Sequence, residues 1–457
     1  MSTTATTQNT SQRQIMLCFA YLAYCGETIT TANPNYAKIE ETIYGYLSGA
    51  MSPGASSPLV PIITAPNGPW NVVWGPAVYT VPGALYQDNM MYVVQNQSDT
   101  TQYAIAIRGT NFSSDLDWLL EDFDVLQMMP WPNVPGAMIS ESTNIDLQIL
   151  LAMQGVVSTN GVYGNSSATL LNFLLSQTTK NSICVGVTGH SLGGCLASTF
   201  ALYLNDNQSK WDAGYATTPS TLYAVTFAGP TAGNAAFAAY SNQQFQNQYT
   251  KNPAPNWDTN WGGITPTNCD AVQSSMDIVP LMWVSDNISS GSQDSKSPVF
   301  NIYSPSNGCP NPPYASTSPT DAQGLNFAYP GVQWKSSEDV NTNLADIEDG
   351  APDFTAWNSF VVPTLLPKLA AIFNSSTTQY TQIDHYDILP GQFINPPATG
   401  WPAGLTFPVV GSTGGYNSLQ VFLQAFVAEA GTQHSVSYAL ALGIPNLNAV
   451  VDAINNS

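Results

Sequence analysis

Gly189-His190-Ser191-Leu192-Gly193 is the stretch whose residue types and spacing could do covalent chemistry. An apolar run, Ile183 to Val187, precedes it, and a helical pattern from Leu192 to Asn205 follows. A serine flanked by glycines between a buried strand and a helix fits the G-x-S-x-G turn that presents a nucleophile. The glycines permit strained dihedrals and remove Cβ atoms that would collide inside so tight a corner. The start of the helix behind Ser191 offers unpaired N–H groups and a partial positive charge where an oxyanion would form. The chemistry implied is attack of a hydroxyl on a carbonyl carbon. The plainer alternative is an ordinary glycine turn.

A serine hydroxyl needs a neighbouring base, and the chain holds three histidines, His190, His385 and His434. His190 adjoins the serine, so its ring cannot reach Oγ in line. His434, in a turn between helices near the C-terminus, falls where the order Ser…Asp…His puts the base. His385, between Asp384 and Asp387, is the second candidate. Asp277, ahead of Ile278-Val279-Pro280, is the leading carboxylate to hold the base, with Asp270 and Asp286 as fallbacks. Oxyanion donors are expected at the Leu192 N–H and at Thr110, in the turn Arg108-Gly109-Thr110. Arg108 is expected to pair with a carboxylate. With one histidine used as base, no metal-spaced cluster remains, so neither metal nor other cofactor is expected. A non-catalytic binding module is the competing class.

Only 9% of the 457 residues are charged, yet 30 acidic against 9 basic residues give a net charge of −21. Such a chain repels nucleic acid and anionic membranes, and no basic patch argues otherwise. A neutral or apolar substrate suits it better. No apolar run is long enough to span a membrane. Ile15 to Cys25 reads as a first domain helix, with a signal peptide as the alternative. Cys184 and Cys195 read as small buried thiols, whereas Cys269 and Cys309 sit in loop-like sequence and could pair in an exported protein.

Several elements must position these residues. Met91–Asn96 and Gln102–Arg108 read as a strand hairpin, and Thr221–Phe227 as a further strand. Ile145–Met153, Ala168–Gln177, a stretch from about Asn234, 357–373 and 418–430 read as helices, and Tyr380–Leu389 as a late strand. Gln127–Ile139 is apolar, holds three prolines and has neither helix nor strand period. It is read either as a loop packed on the core or, over 127–145, as a mobile lid above an apolar cleft. Residues 284–380 read as an insertion shaping the rim of the site. No internal repeat or second G-x-S-x-G turn with its own strand and helix divides the chain, which is read as one domain over 1–457.

Arg108-Gly109-Thr110, Trp118 with Asp122, Gly189-His190-Ser191-Leu192-Gly193-Gly194, Phe227-Ala228-Gly229-Pro230 with Gly233-Asn234 and Phe237, Asp277-Ile278-Val279-Pro280, and His434 with Tyr438 occur in that order. Together they resemble the class 3 lipases, the fungal-type triacylglycerol lipase family, over roughly 85–285 and the C-terminal stretch. Ala20-Tyr21-Leu22-Ala23-Tyr24-Cys25 is also similar to that family's first helix. The resemblance implies an α/β-hydrolase fold, with a central mixed, mostly parallel sheet flanked by helices and long loop insertions. It implies cofactor-independent hydrolysis of lipid esters by Ser191, Asp277 and His434, with Thr110 and Leu192 as oxyanion donors and a lid that opens at a lipid–water interface. The rival substrate class is membrane lipid, cleaved by a phospholipase A1 or galactolipase, in the manner of a secreted effector. Secretion is expected, with a soluble cytoplasmic protein as the alternative. Two departures stand out: residues 139–150 lack the His-Gly segment of the family, and the stretch from Asp277 to His434 is longer than usual.

Overall fold

The computed structural model describes residues 4–26, 36–48, 62–63, 68–80, 89–109, 127–155, 168–254, 267–274, 277, 279–281, 380–381, 386–389, 431 and 433–444. Among these, a seven-stranded sheet runs in the order β1 (Trp70–Tyr79), β2 (Asn89–Asn96), β3 (Gln102–Ile107), β6 (Cys184–His190), β7 (Thr221–Phe227), β8 (Cys269–Ser274), β9 (Tyr386–Leu389). The first three strands pair antiparallel, and β3 through β9 of this sheet pair in parallel. The sheet is therefore mixed and mostly parallel, as an α/β-hydrolase fold requires.

Both faces are covered, which explains the near-continuous apolar strands. Tyr103, Ile105, Ile107, Val185, Val187, Leu222 and Ala224 face one core with Leu196, Phe200 and Phe237 from the helices Leu192–Asp206 and Ala235–Lys251. Their strand neighbours Ala104, Ala106, Tyr223 and Val225 face the opposite core, against the helices Thr4–Leu22 and Tyr36–Ser48. Ile15 to Cys25 is buried throughout, so this stretch packs as a domain helix and the turn after it. Arg13 fastens the helix to β8, its Nε donating to Asp270 Oδ2 at 2.7 Å and a terminal nitrogen to Oδ1 at 3.1 Å.

Two strands of this sheet were not expected from sequence. β1 carries bulges, with register shifts between Val72 and Trp74 and between Trp74 and Ala77, which break its alternation. β8 holds Asp270, Gln273 and Ser274 at buried positions. Cys269, expected in a loop, is a buried free thiol at the start of this strand. Within 127–145, short strands β4 (Met128–Pro130) and β5 (Met138–Ser140) form a hairpin instead of an aperiodic segment, and the helix Glu141–Ala152 follows. Ser140 caps that helix, its Oγ accepting from the Thr143 N–H at 3.0 Å. The hairpin is tied to the fold by Asn234, whose Oδ1 accepts from Met138 and Phe237 backbone N–H groups. The expected helices at 357–373 and 418–430 lie outside the described residues, as does the 284–380 insertion up to Tyr380.

Candidate active site

β6 ends at His190, and the helix Leu192–Asp206 begins one residue later. Ser191 joins them at φ 61° and ψ −134°, a conformation that costs a non-glycine residue of order 1–3 kcal/mol. The corner is tight enough that a Cβ on Gly189 would strike the carbonyl of Gly193. One on Gly193 would lie 2.5 Å from the Ile107 carbonyl oxygen and 2.6 Å from the Gly109 nitrogen. The end of β3 is thereby pressed against the turn that carries Ser191, and a Cβ on Gly109 would come 3.1 Å from Ser191 Cβ. Leu192 is the first residue of the helix, where N–H groups have no partner within the helix. Thr110 lies outside the described residues, immediately after Gly109.

His434 and Asp277 are brought together although 157 residues separate them: Nδ1 of His434 lies 2.9 Å from Asp277 Oδ2. A carboxylate at Nδ1 draws the proton there and leaves Nε2 with its lone pair, the tautomer a general base needs. Both residues are buried, Asp277 completely. The carboxylate is further fixed by the Val279 N–H, which donates to Oδ1 at 3.0 Å, and by the Tyr438 hydroxyl, which donates to Oδ2 at 2.7 Å. Tyr438 also accepts from the Ser274 N–H at 2.9 Å, tying the C-terminal helix, 433–441, to the end of β8. Ser191 Oγ and His434 Nε2 are both buried without a hydrogen-bond partner.

Asp270 is engaged by Arg13, while His385 and Asp286 lie outside the described residues. Arg108 is buried at the end of β3. Among the described residues no group of three or more His, Cys, Asp or Glu could hold a metal ion. Tyr438 had a readable signal, since it stands one helical turn beyond His434 and shares its face. The environment of His190 had none. Its ring is completely buried, Nε2 lies 2.7 Å from the His434 carbonyl oxygen, and Nδ1 lies 3.1 Å from the Tyr24 hydroxyl. Burial first, then the charge His434 would carry, holds this imidazole well below the ordinary histidine range, against a smaller opposing effect of its bond to the His434 backbone.

The family model described as "Lipase (class 3)" matches residues 104–252, from β3 through the helix after β7. No curated protein matches the chain. Among solved structures, M37 lipase is 26% identical, with a TM-score of 0.60, over 97% of this chain and 98% of that one. The Lip2 lipase of Yarrowia lipolytica is 16% identical with a TM-score of 0.37, over 62% of this chain and 75% of that one. The lipase of Rhizopus microsporus var. chinensis is 17% identical with a TM-score of 0.33, over 54% and 67%. The chain has an α/β-hydrolase fold, resembles M37 lipase over nearly its whole length, and carries the class 3 lipase pattern in the segment that holds Ser191.

Proposed function

We propose that the protein hydrolyses carboxylic ester bonds of lipids through an acyl-enzyme on Ser191. The observation that carries this reading is the buried His434–Asp277 pair, which leaves Nε2 of His434 as an acceptor, in a fold whose nucleophile turn holds Ser191 strained. Ser191 Oγ attacks the ester carbonyl carbon while its proton passes to His434 Nε2. The carbonyl π electrons move to oxygen, and the oxyanion is met by the N–H of Leu192 and by Thr110. Collapse re-forms the carbonyl and expels the alcohol, which takes the proton from Nε2. Water then repeats the sequence on the acyl-enzyme, giving the carboxylic acid and free Ser191. Asp277 stays ionised throughout, holding the imidazole in place and stabilising the imidazolium. Similarity to a lipase of solved structure and the class 3 lipase match support a lipid ester as substrate. The net charge of −21 favours neutral acylglycerol over anionic bilayers.

The test is hydrolysis of p-nitrophenyl esters of increasing acyl length by the parent protein, Ser191→Ala and His434→Ala. Rates should rise with chain length and fall by about four orders of magnitude or more in each variant. Near-parent activity in His434→Ala would move the base elsewhere and overturn the assignment. Neutral acylglycerol against phosphatidylethanolamine vesicles decides the substrate class, and faster release of fatty acid from the phospholipid would select the phospholipase reading.

A further inference from the structure

His190 is the residue of the turn that the reaction leaves unused, and its contacts reach both ends of the chain. We propose that His190 is a positioning residue: with Tyr21 and Tyr24 it clamps the main chain at His434 and so sets where the base stands relative to Ser191. The inference rests on the proposed roles of Ser191 and His434. A carbonyl oxygen has no proton, so in the 2.7 Å contact His190 Nε2 is the donor and the His434 carbonyl the acceptor. In a neutral imidazole Nδ1 must then accept, and the Tyr24 hydroxyl stands there at 3.1 Å, also within 3.2 Å of the His190 carbonyl oxygen. The Tyr21 hydroxyl donates to the next carbonyl, that of Ser435. Two successive carbonyls at the start of the 433–441 helix are thus held by side chains from the nucleophile turn and from the chain's first helix. The imidazole rings of His190 and His434 pack with centroids 4.7 Å apart, and the rings of Tyr21 at 5.0 Å and Tyr438 at 6.0 Å close the surroundings.

This arrangement gives position 190 a purpose that packing alone would not require. Ser191 is fixed by the turn, but His434 arrives from a segment more than 240 positions away. The residue next to the nucleophile is well placed to reference one to the other. The test compares His190→Leu, His190→Gln and Tyr24→Phe with the parent and with Ser191→Ala, reading kcat, KM and thermal unfolding on one ester. His190→Leu should lower kcat by about 10–100-fold with little change in KM, the scale of a misplaced catalytic group. His190→Gln, whose amide N–H can reach the same carbonyl, should recover most of that loss. Tyr24→Phe should give a smaller fall in kcat. Equal kcat in the leucine and glutamine variants, both folded, would overturn the proposal, because a packing role does not distinguish them. Should the leucine variant fail to fold, a glutamine variant as poor as Ser191→Ala, or a parent-like Tyr24→Phe, would overturn it instead. If Ser191→Ala retains activity, the fault lies with the proposed catalytic roles and not with the clamp.

Discussion

At Ser191 the backbone lies at φ 61°, and this is sustained because Gly189 and Gly193 let β6, the helix and the end of β3 meet without side chains between them. The atoms that a Cβ at Gly193 would meet, the Ile107 carbonyl oxygen, the Gly109 nitrogen and the Arg108 carbonyl carbon, are all backbone, so no rotamer change relieves the clash. Gly193→Ala must therefore displace the end of β3, where the second oxyanion donor is proposed. Losing one such donor alone costs roughly 100–1,000-fold in kcat, and Gly193→Ala should lose at least that much while remaining folded. A fall in esterase kcat of less than tenfold would show that the turn tolerates the shift. The five letters of this turn were legible because its geometry is local. That His434 and Asp277 stand together was legible from the order Ser…Asp…His and from an aspartate ahead of Ile278-Val279-Pro280, while their catalytic roles are part of the proposal. The contact of His190 with the His434 carbonyl was not legible, since it joins residues 244 positions apart and involves a backbone atom.

Among elements, the central strands and their helices were readable because burial on both faces gives continuous apolar runs. β8 escaped notice because its polar residues are buried: the Asp270 side chain meets Arg13, and the Ser274 backbone N–H donates to the Tyr438 hydroxyl. Such pairing overrides strand propensity and leaves no periodic trace. The β4–β5 hairpin escaped for a related reason, since three-residue strands are too short to show a period. It is held by Trp131, which is 2% exposed, packs edge-on against Phe237 with centroids 5.3 Å apart, and donates its indole N–H to Asp206 Oδ2 at 2.9 Å. Tyr240 donates to the other oxygen of that carboxylate. Trp131→Phe keeps most of the ring contact but leaves a partly buried charged acceptor short of one donor, at a cost of about 1–3 kcal/mol. The variant should unfold at a lower denaturant concentration than the parent with an unchanged m-value. An unchanged midpoint would mean that ring packing alone secures the hairpin.

Across the whole molecule, 30 acidic residues against 9 basic ones make repulsion the dominant surface force, and acid relieves it only when carboxylates take up protons, around pH 4. From pH 7 to 5.5 their charge is nearly constant, so that window reports on the histidines. In the folded protein His190 faces Tyr21, Tyr24, His434 and Tyr438, with Asp277 behind His434, and is held well below its ordinary range. In the unfolded chain it takes a proton near pH 6.5, at its ordinary value. The unfolded state therefore binds more protons as the pH falls, so stability that is complete above pH 6.5 is lost progressively on the way down to the folded value. The slope for one such group reaches about 1.4 kcal/mol per pH unit, or roughly 1 kcal/mol over the window. Salt should raise the melting temperature at both ends of the window by screening surface repulsion, and should leave this slope in place because the imidazole is buried. Melting curves of the parent and His190→Gln at pH 7 and 5.5 separate the two effects. The parent should lose stability and the glutamine variant should lose less, by about the contribution of one histidine. Parallel losses in the two proteins would show that the acid sensitivity does not arise at His190.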